Sequence, residues 1–200
     1  MAAKRATAKP GEGRQPTAKQ RIPAAERRAL ILREAGRLFA REGYAGTRLD
    51  DVAAAAHVTK PMVYRHFESK KALYMALLAK HEDDLPTFLE PGADLPAILD
   101  HWLDYVRENS HAWVMLFRDN SGDDEIRERR RRVNLRAREV LTGFIAERGG
   151  PRIPPEQIEP TAELLSSGLA GLALWWIDHP DAPKPVVAAV AGRISESALA

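Results

Sequence analysis

The sequence contains no cysteine, and this absence removes several kinds of chemistry at once. Disulfide bonds, thiolate metal ligands, cysteine nucleophiles and thiol redox sensors all require that side chain. The absence also fits a reducing cytoplasm, which is the compartment that we expect for this protein.

Long apolar runs are also lacking. The longest uncharged apolar run, residues 168 to 177, is far shorter than the ~20 residues that cross a bilayer. The first residues do not have the apolar stretch of a secretory signal. We therefore expect a soluble, cytoplasmic protein with no membrane partner.

Charge is unevenly distributed, although the net charge of the chain is only +2. Residues 1 to 81 carry 17 Lys and Arg against 7 Asp and Glu, whereas residues 82 to 200 carry 13 against 21. A net +10 followed by a net −8 favours a polyanion as partner of the first part only. The alternative is that charged surface residues happen to segregate.

Apolar spacing predicts an all-α chain without strands, because period-2 alternation is missing and 3.6-residue periodicity recurs. Residues 1 to 22 are basic and poor in apolar side chains, which is typical of a disordered arm. We predict helices over residues 23–42, 47–56, 59–67, 69–86, 95–109, 111–119, 123–148, 155–179 and 184–199. Gly43 is expected to end the first, while Thr47, Thr59 and Ser69 are expected to cap the next three.

Two short helices joined by a tight turn, after a longer helix and a basic arm, are the parts of a helix-turn-helix DNA reader. In the second short helix, Val63 and Phe67 supply a buried side. Lys60, Tyr64 and Arg65 supply an opposite side rich in hydrogen-bond donors. A helix of this kind fits the major groove of DNA with its first residues on base edges.

The segment from Gly43 to Leu73 closely resembles the tetracycline-repressor (TetR) family of bacterial regulators. The resemblance rests on the stretches GYAGT (43–47), LDDVA (49–53) and VTKPMVYRHFESKKAL (58–73). It implies a nine-helix TetR-like protomer, with a helix-turn-helix domain over 23–68 and an effector-binding and dimerisation domain over 69–200. It also implies a homodimer that binds a palindromic operator in double-stranded DNA as a repressor.

Roles for single residues follow from the resemblance and from the helix geometry. Thr47, Tyr64 and Lys70 are expected to hold phosphates, and Lys60, Arg65 and His66 are candidates for base edges. The full predicted DNA-binding set is Thr47, Arg48, Thr59, Lys60, Pro61, Tyr64, Arg65, His66 and Lys70. The arm either tracks the minor groove or is a solubilising tail. His57 stands where the family usually has Gly, so we expect a left-handed backbone there.

The second part of the chain is expected to dimerise and to bind a ligand. Its last two helices carry more apolar surface than one core contact needs, which favours a four-helix dimer interface, although burial within one protomer is the alternative. The predicted interface residues are Leu165, Leu169, Leu172, Trp176, Val187, Val190 and Ile194. A cavity beside the fourth helix, with few polar groups, would suit a small lipophilic or aromatic effector. The predicted pocket residues are Phe88, Trp102, Tyr105, Trp113, Phe117, Arg130, Asn134 and Phe144.

Other functions have weaker support in the sequence. Residues 127 to 132 contain five arginines, but such a run is usually a solvated helix face. No nucleophile motif, phosphate loop or HExxH pair is present, so we expect no enzyme activity, no cofactor and no metal. The main alternative to a specific regulator is an architectural DNA binder that has no effector and binds all sequences alike.

Overall fold

The computed structural model describes residues 23–84, 94–119, 122–149 and 152–199. The predicted basic arm and Phe88 lie outside these ranges. Within them the chain forms nine helices and no strand, which confirms the all-α prediction. The helices are α1 Ala24–Gly46, α2 Leu49–Ala55, α3 Lys60–His66, α4 Lys70–Asp84, α5 Leu95–Glu108, α6 Ser110–Phe117, α7 Asp124–Gly149, α8 Pro155–Asp178 and α9 Lys184–Leu199.

Three residues have the local conformation or cap that the sequence predicts. Gly43 has φ 70° and ψ 171°, so it breaks the helical backbone of α1 close to the expected end. His57 has φ 52°, which is the left-handed conformation expected between α2 and α3. The Ser69 hydroxyl accepts a hydrogen bond from the Ala72 amide at 3.0 Å and caps α4.

The prediction for Thr47 is wrong. Arg48, not Thr47, precedes α2 as its N-cap, and no side chain bonds to the helix there. The Thr47 hydroxyl instead donates to the Gly43 carbonyl at 2.9 Å, and the side chain is buried. Because the α1 backbone runs on to Gly46 after the break, Thr47 closes α1 and does not open α2.

One hydrophobic core continues from the first four helices into α6 and α7. Phe39 and Tyr44 from α1 pack with Tyr74 from α4 as an aromatic cluster, with ring centroids 4.9 to 6.2 Å apart. Met115 of α6 and Ile126 of α7 belong to the same core. The N-terminal helices are therefore seated directly on α6 and α7.

The last two helices are buried mainly against the protomer itself. Trp176 of α8 and Val187 of α9 pack on α5, and Leu165 packs with residues of α7. These three residues were predicted at the dimer interface, and the structure places them in the core of one protomer instead. Leu169, Leu172 and Val190 are half-buried, and Ile194 is exposed.

No helix in the described ranges combines the length and the apolar character needed to span a membrane.

Candidate nucleic-acid interface and ligand cavity

Helix α3 has one buried side and one exposed side. Val63 is fully buried and Phe67 is 5% exposed, so they anchor α3 to the core. Tyr64 is 47% exposed although it is a large aromatic residue, and Lys60 and Arg65 are exposed beside it. A short helix fixed by two apolar contacts therefore presents a cation, a phenol and a guanidinium outward.

The Lys60 ammonium is held by an ion pair at the surface. Its Nζ lies 3.0 Å from the Asp50 carboxylate of α2, and both side chains are 49% exposed. An exposed pair of this kind contributes at most about 1 kcal/mol of stability, so a competing anion could replace the carboxylate at low cost. In the absence of such an anion, the Lys60 ammonium stays paired with Asp50.

Lys70 is engaged by the backbone around the end of α1. Its Nζ donates to the carbonyls of Tyr44, Ala45 and Thr47 at 2.8, 3.3 and 3.1 Å. An ammonium has three protons, and these contacts use all of them. The cation also lies 4.6 Å from the centroid of the Tyr44 ring. Lys70 thus holds the corner between α1 and α2, which differs from the phosphate contact that we predicted.

His66 also differs from its predicted role at a base edge. Its Nε2 is buried and has no hydrogen-bond partner among the described residues. Burial lowers the pKa of His66 first, and the nearby Arg27, Arg28 and Arg65 lower it further. His66 is therefore partly buried near Arg27 and Arg28 of α1, and its Nε2 is not presented outward.

A basic residue near α3 was missed by the sequence analysis. The Arg28 guanidinium of α1 lies 4.9 Å from the centroid of the Phe67 ring. Arg28 is exposed and stands at the end of α3 that is remote from Lys60. Only the fold reveals this, because Arg28 and Phe67 are far apart along the chain.

A buried carboxylate joins the N-terminal helices to the rest of the protein. Asp119, just after α6, accepts a hydrogen bond from the Tyr44 amide at 3.2 Å and from the Tyr74 hydroxyl at 3.0 Å. Arg130 of α7 lies 3.7 Å from the same carboxylate and donates to the Tyr74 hydroxyl at 3.3 Å. Both charged side chains are under 10% exposed. Arg130 was predicted in the effector pocket, and it lies in this junction instead.

Two buried histidines lie where α4, α5 and α6 meet α1. His81 of α4 bonds through Nδ1 to the Tyr105 hydroxyl at 2.7 Å, and that hydroxyl donates to Asp84 at 2.9 Å. The rings of His81 and His111 lie 5.6 Å apart, and His111 packs directly on Gly36 of α1. Burial lowers the pKa of His81 to about 3 and that of His111 to about 4. Tyr105 was also predicted in the pocket, and it serves this polar chain instead.

A cavity of about 140 Å³ lies in the C-terminal part and is lined by residues of α5, α6, α7, α8 and α9. Trp102, Trp113, Phe117 and Phe144 line it as predicted. Leu165 and Leu169, which were predicted at a dimer interface, line it as well. Asn134 is not among the lining residues that the structure describes.

The cavity is placed differently from the prediction, because no described residue of α4 lines it. Helix α6 connects it to the N-terminal helices. Trp113 and Phe117 of α6 face the cavity, while His111 meets α1 and Met115 joins the core shared with α1 and α4. No group of three or more His, Asp or Glu side chains in the described ranges is placed to hold a metal ion.

Comparison with known sequences supports the resemblance seen around α3. A sequence profile described as bacterial regulatory proteins, tetR family, matches residues 31–77. The transcriptional activator FasR of Mycolicibacterium smegmatis is 32% identical over 108 residues, which cover 50% of this chain and 49% of FasR. The biofilm operon negative transcriptional regulator IcaR of Staphylococcus aureus is 46% identical over 44 residues, covering 22% of this chain and 24% of IcaR. The chain thus spans about half or less of the length of these curated relatives.

Solved structures extend the likeness to the whole fold. A tetR-family transcriptional regulator from Streptomyces coelicolor superimposes with a TM-score of 0.64 at 25% identity, covering 88% of this chain and 81% of that one. The fatty acid degradation regulator FadR of Bacillus halodurans superimposes with a TM-score of 0.69 at 14% identity, covering 90% and 97%. The second likeness concerns the fold alone.

The fold and the exposed side of α3 define a helix-turn-helix protein with an all-α body. The match of residues 31–77 lies within its first four helices, and the body shares the helical fold of the solved regulators. Residues 31–77 therefore match the tetR family of bacterial regulatory proteins, and the whole fold is similar to that of a solved regulator of that family.

Proposed function

We propose that this protein is a sequence-specific DNA-binding transcriptional regulator, acting as a repressor that a small lipophilic or aromatic effector releases from a palindromic operator. The observation that carries the proposal is the exposed side of α3, where Lys60, Tyr64 and Arg65 point away from the core. A lysine, a tyrosine and an arginine on the exposed side of one short helix supply hydrogen-bond donors that fit a nucleic-acid groove.

The proposed contacts divide into two kinds. Lys60 and Arg65 read base edges from α3, since Arg to guanine is the commonest specific contact in the major groove. Tyr64, together with Arg48 and Thr59 at the starts of α2 and α3, holds phosphates and fixes the register on the duplex. Pro61 packs beside the sugars. An acceptor on a base edge displaces the Asp50 carboxylate from Lys60 when α3 enters the groove.

The protein acts as a homodimer in this proposal, because one short helix reads too few base pairs. Two half-sites about 34 to 36 Å apart would multiply the specificity. Large apolar side chains remain exposed on α8 and α9: Leu164 is 68% exposed, Trp175 46%, Val186 57% and Ile194 53%. A second copy of the chain that covers these four would form a four-helix interface.

Small residues help the two copies to approach. On α8, Gly168 lies one turn after Leu164, and Gly171 lies one turn before Trp175. A Cβ built at either glycine meets nothing within 4 Å. The half-buried Leu172 and Val190 lie next to this surface and extend it. On α8 the proposed interface is shifted by about one residue from the predicted one, whereas on α9 it keeps Val190 and Ile194 and has Val186 in place of Val187.

The effector site in this proposal is the cavity lined by residues of α5 to α9. A bound molecule presses on Trp113 and Phe117, so it acts on α6. Since α6 also contacts α1 and ends beside Asp119, a shift of α6 changes how the N-terminal helices are seated. A ligand that binds one seating better than the other shifts the population toward it and alters operator affinity.

The proposal is tested by selecting bound sequences from a random pool of duplex DNA. A regulator should enrich one palindrome and prefer it over random DNA by ~10³-fold or more at physiological salt. The variants Lys60→Ala and Arg65→Ala should each lose about 10- to 100-fold in affinity for that site. Arg136→Ala, which removes an exposed arginine of α7, is the matched control and should bind normally.

Equal affinity for all sequences would support the architectural alternative and reject the regulator. The dimer is tested separately by Leu164→Lys, which should give a monomer in sedimentation. The control Glu159→Lys changes the charge five positions earlier, on another side of α8, and should stay dimeric. A wild-type monomer at micromolar concentration would contradict the dimer.

A further inference from the structure

The arginines of α1 differ in how their charge is neutralised. Arg33 and Arg37 both pair with the Glu34 carboxylate, at 3.1 and 3.2 Å. Arg28, one helical turn after the start of α1, is exposed and has no carboxylate partner among the residues that the structure describes. Within that part of the chain, the positive charge of Arg28 is therefore left for a partner from outside.

Arg28 is also held in place by an aromatic ring. Its guanidinium lies 4.9 Å from the centroid of the ring of Phe67, the residue that directly follows α3. Attraction between the cation and the ring orients the side chain, but it supplies no oxygen acceptor for the five N–H groups of a guanidinium. An exposed cation is thus fixed at one place, and no described residue accepts a hydrogen bond from it.

The cation belongs to a basic cluster at the end of α3 that is remote from Lys60. Burial lowers the pKa of His66, the last residue of α3, and the charges of Arg27, Arg28 and Arg65 lower it further. All three guanidinium groups therefore lie near the same ring. Helix α3 has seven residues, so this cluster is separated from Lys60 by about 10 Å along the helix.

The dimensions of DNA indicate what this cluster would meet. The major groove is ~8.5 Å deep, and a recognition helix places its first residues on the base edges. When α3, at ~10 Å long, enters the groove with Lys60 first, its last turn is at the level of the phosphates. A guanidinium at that level can donate two hydrogen bonds to one phosphate group.

We propose that Arg28 of α1 binds a phosphate of the DNA backbone at the edge of the groove that α3 enters. The contact does not select bases, and it fixes how deeply and at what angle α3 lies in the groove. The ring of Phe67 holds the guanidinium in position before DNA arrives, so less side-chain freedom is lost on binding. The contact requires α3 to face DNA, so it rests on the proposed function.

The test measures the DNA affinity of the full chain between about 50 and 200 mM KCl. Arg28→Met removes the charge but keeps an apolar side chain over the Phe67 ring. Each lost phosphate contact lowers the slope of log affinity against log salt by about 0.9, so a dimer should lose about 1.8. The affinity deficit of Arg28→Met should therefore shrink by about 12-fold over this salt range. Operator and random duplex should weaken alike, whereas Arg65→Ala should weaken the operator more.

Two further variants separate a phosphate contact from a purely structural role of Arg28. Arg28→Lys keeps the charge and should retain the slope of the wild type. Arg37→Ala removes an exposed charge roughly 13 Å farther along the same helix and should leave the slope unchanged. An unchanged slope for Arg28→Met would overturn the proposal and would mean that Arg28 only covers Phe67. An equal loss of slope for Arg37→Ala would overturn it too, since any charge on α1 would then act alike.

Arg28→Gln repeats the measurement if Arg28→Met does not fold, and circular dichroism checks the helices of each variant. Single phosphates of the operator are also replaced by uncharged methylphosphonates. One position in each half-site should weaken binding of the wild type but not of Arg28→Gln, and the absence of such a position would overturn the proposal.

The outcomes distinguish this contact from the proposed function. If no palindrome is selected but the slope on random duplex falls for Arg28→Met, the specific regulator is rejected and the phosphate contact of Arg28 stands. If a palindrome is selected and the slope does not fall, only the phosphate contact is rejected.

Discussion

The two faces of α6 lie in opposite chemical surroundings. Trp113 and Phe117 face a cavity without charged groups, whereas His111 faces α1 and Asp119 follows the helix end in a buried polar junction. Apolar contacts are non-directional and tolerate small shifts, but buried ion pairs and hydrogen bonds depend steeply on geometry. The cavity-facing side of α6 can therefore bind a ligand, whereas the hydrogen bonds and the ion pair on its other side are sensitive to a small movement of the helix.

The largest effect is expected at the polar face. Asp119→Ala should lower the free energy of unfolding by about 3 to 5 kcal/mol, because it leaves the buried Arg130 guanidinium without its carboxylate. It also removes an acceptor from the Tyr74 hydroxyl and the Tyr44 amide. Urea denaturation measures the change.

A neighbouring ion pair provides the control for Asp119. Arg118 pairs with Asp178, and both side chains are at least 40% exposed. Arg118→Ala should therefore cost less than about 1 kcal/mol. The double variant with Asp119→Ala and Arg130→Met should recover part of the loss, because the buried guanidinium charge is removed together with the carboxylate. If Asp119→Ala lowers the free energy of unfolding no more than Arg118→Ala does, the buried junction is not the geometry-sensitive side of α6.

Acid should also destabilise the polar face. Burial, with Lys80 nearby, lowers the pKa of His81 to about 3 and that of His111 to about 4. His111 also lowers the pKa of His81 while Asp84 opposes the shift, and Arg37 lowers the pKa of His111. Both values lie below the usual ~6.5 of an unfolded chain, so the unfolded state binds more protons below that pH.

The free energy of unfolding should therefore fall as the pH drops from about 6.5 toward 4, by up to ~1.4 kcal/mol per pH unit for each histidine. Urea denaturation at pH 6.5 and pH 5 gives the slope for the wild type. His81→Gln should reduce the slope by up to half, while His57→Asn, which changes an exposed histidine, should leave it unchanged. Equal slopes for His81→Gln and the wild type would show that His81 is not buried as a neutral ring.

A steric variant tests how closely α1 and α6 approach. A Cβ at Gly36 would overlap Cδ2 of His111 and lie 2.7 Å from its Nε2. Gly36→Ala should therefore cost about 1 to 2 kcal/mol, since the clash outweighs the gain in helix propensity. Gly143→Ala on α7 is the matched control, because a Cβ there meets nothing within 4 Å and should stabilise the protein by up to ~1 kcal/mol. Thermal or urea denaturation compares the two variants, and equal effects would mean that α6 does not press on α1.

Local chemistry explains which parts of the fold could be predicted from the sequence. The backbone conformations of Gly43 and His57 and the cap at Ser69 depend on residues within a few positions, and the sequence predicts all three. The prediction for Thr47 fails because α1 resumes after Gly43 and ends next to Thr47. The Thr47 hydroxyl can then bond either to the end of α1 or to the start of α2, and it bonds to the end of α1. The existence and order of the helices could likewise be predicted from the 3.6-residue periodicity of apolar residues.

The site was less predictable where partners come from distant parts of the chain. Arg130 looks like a pocket residue by its position on α7, but Asp119 and Tyr74 draw it into the junction. On α8, apolar residues cover so much of the circumference that the sequence does not say which side is buried in the protomer. Leu165 and Trp176 fill the core, whereas Leu164 and Trp175, one position earlier, are exposed. A shift of one residue turns a helical side chain by about 100°, which is enough to exchange core and surface.

The smallest effect is expected away from both faces of α6, in the turn between α2 and α3. His57 is exposed and has φ 52°, a conformation that costs a non-glycine residue about 1 kcal/mol. His57→Gly should relieve this strain, but glycine also gains freedom in the unfolded chain, so the net stabilisation should be at most ~1 kcal/mol. His57→Ala keeps the strain and should not stabilise the protein. Because the exposed His57 neither lines the cavity nor bonds to Asp119 or Arg130, the gain from His57→Gly should add to the loss from Asp119→Ala in urea denaturation. A non-additive double variant would mean that the turn is mechanically coupled to the junction.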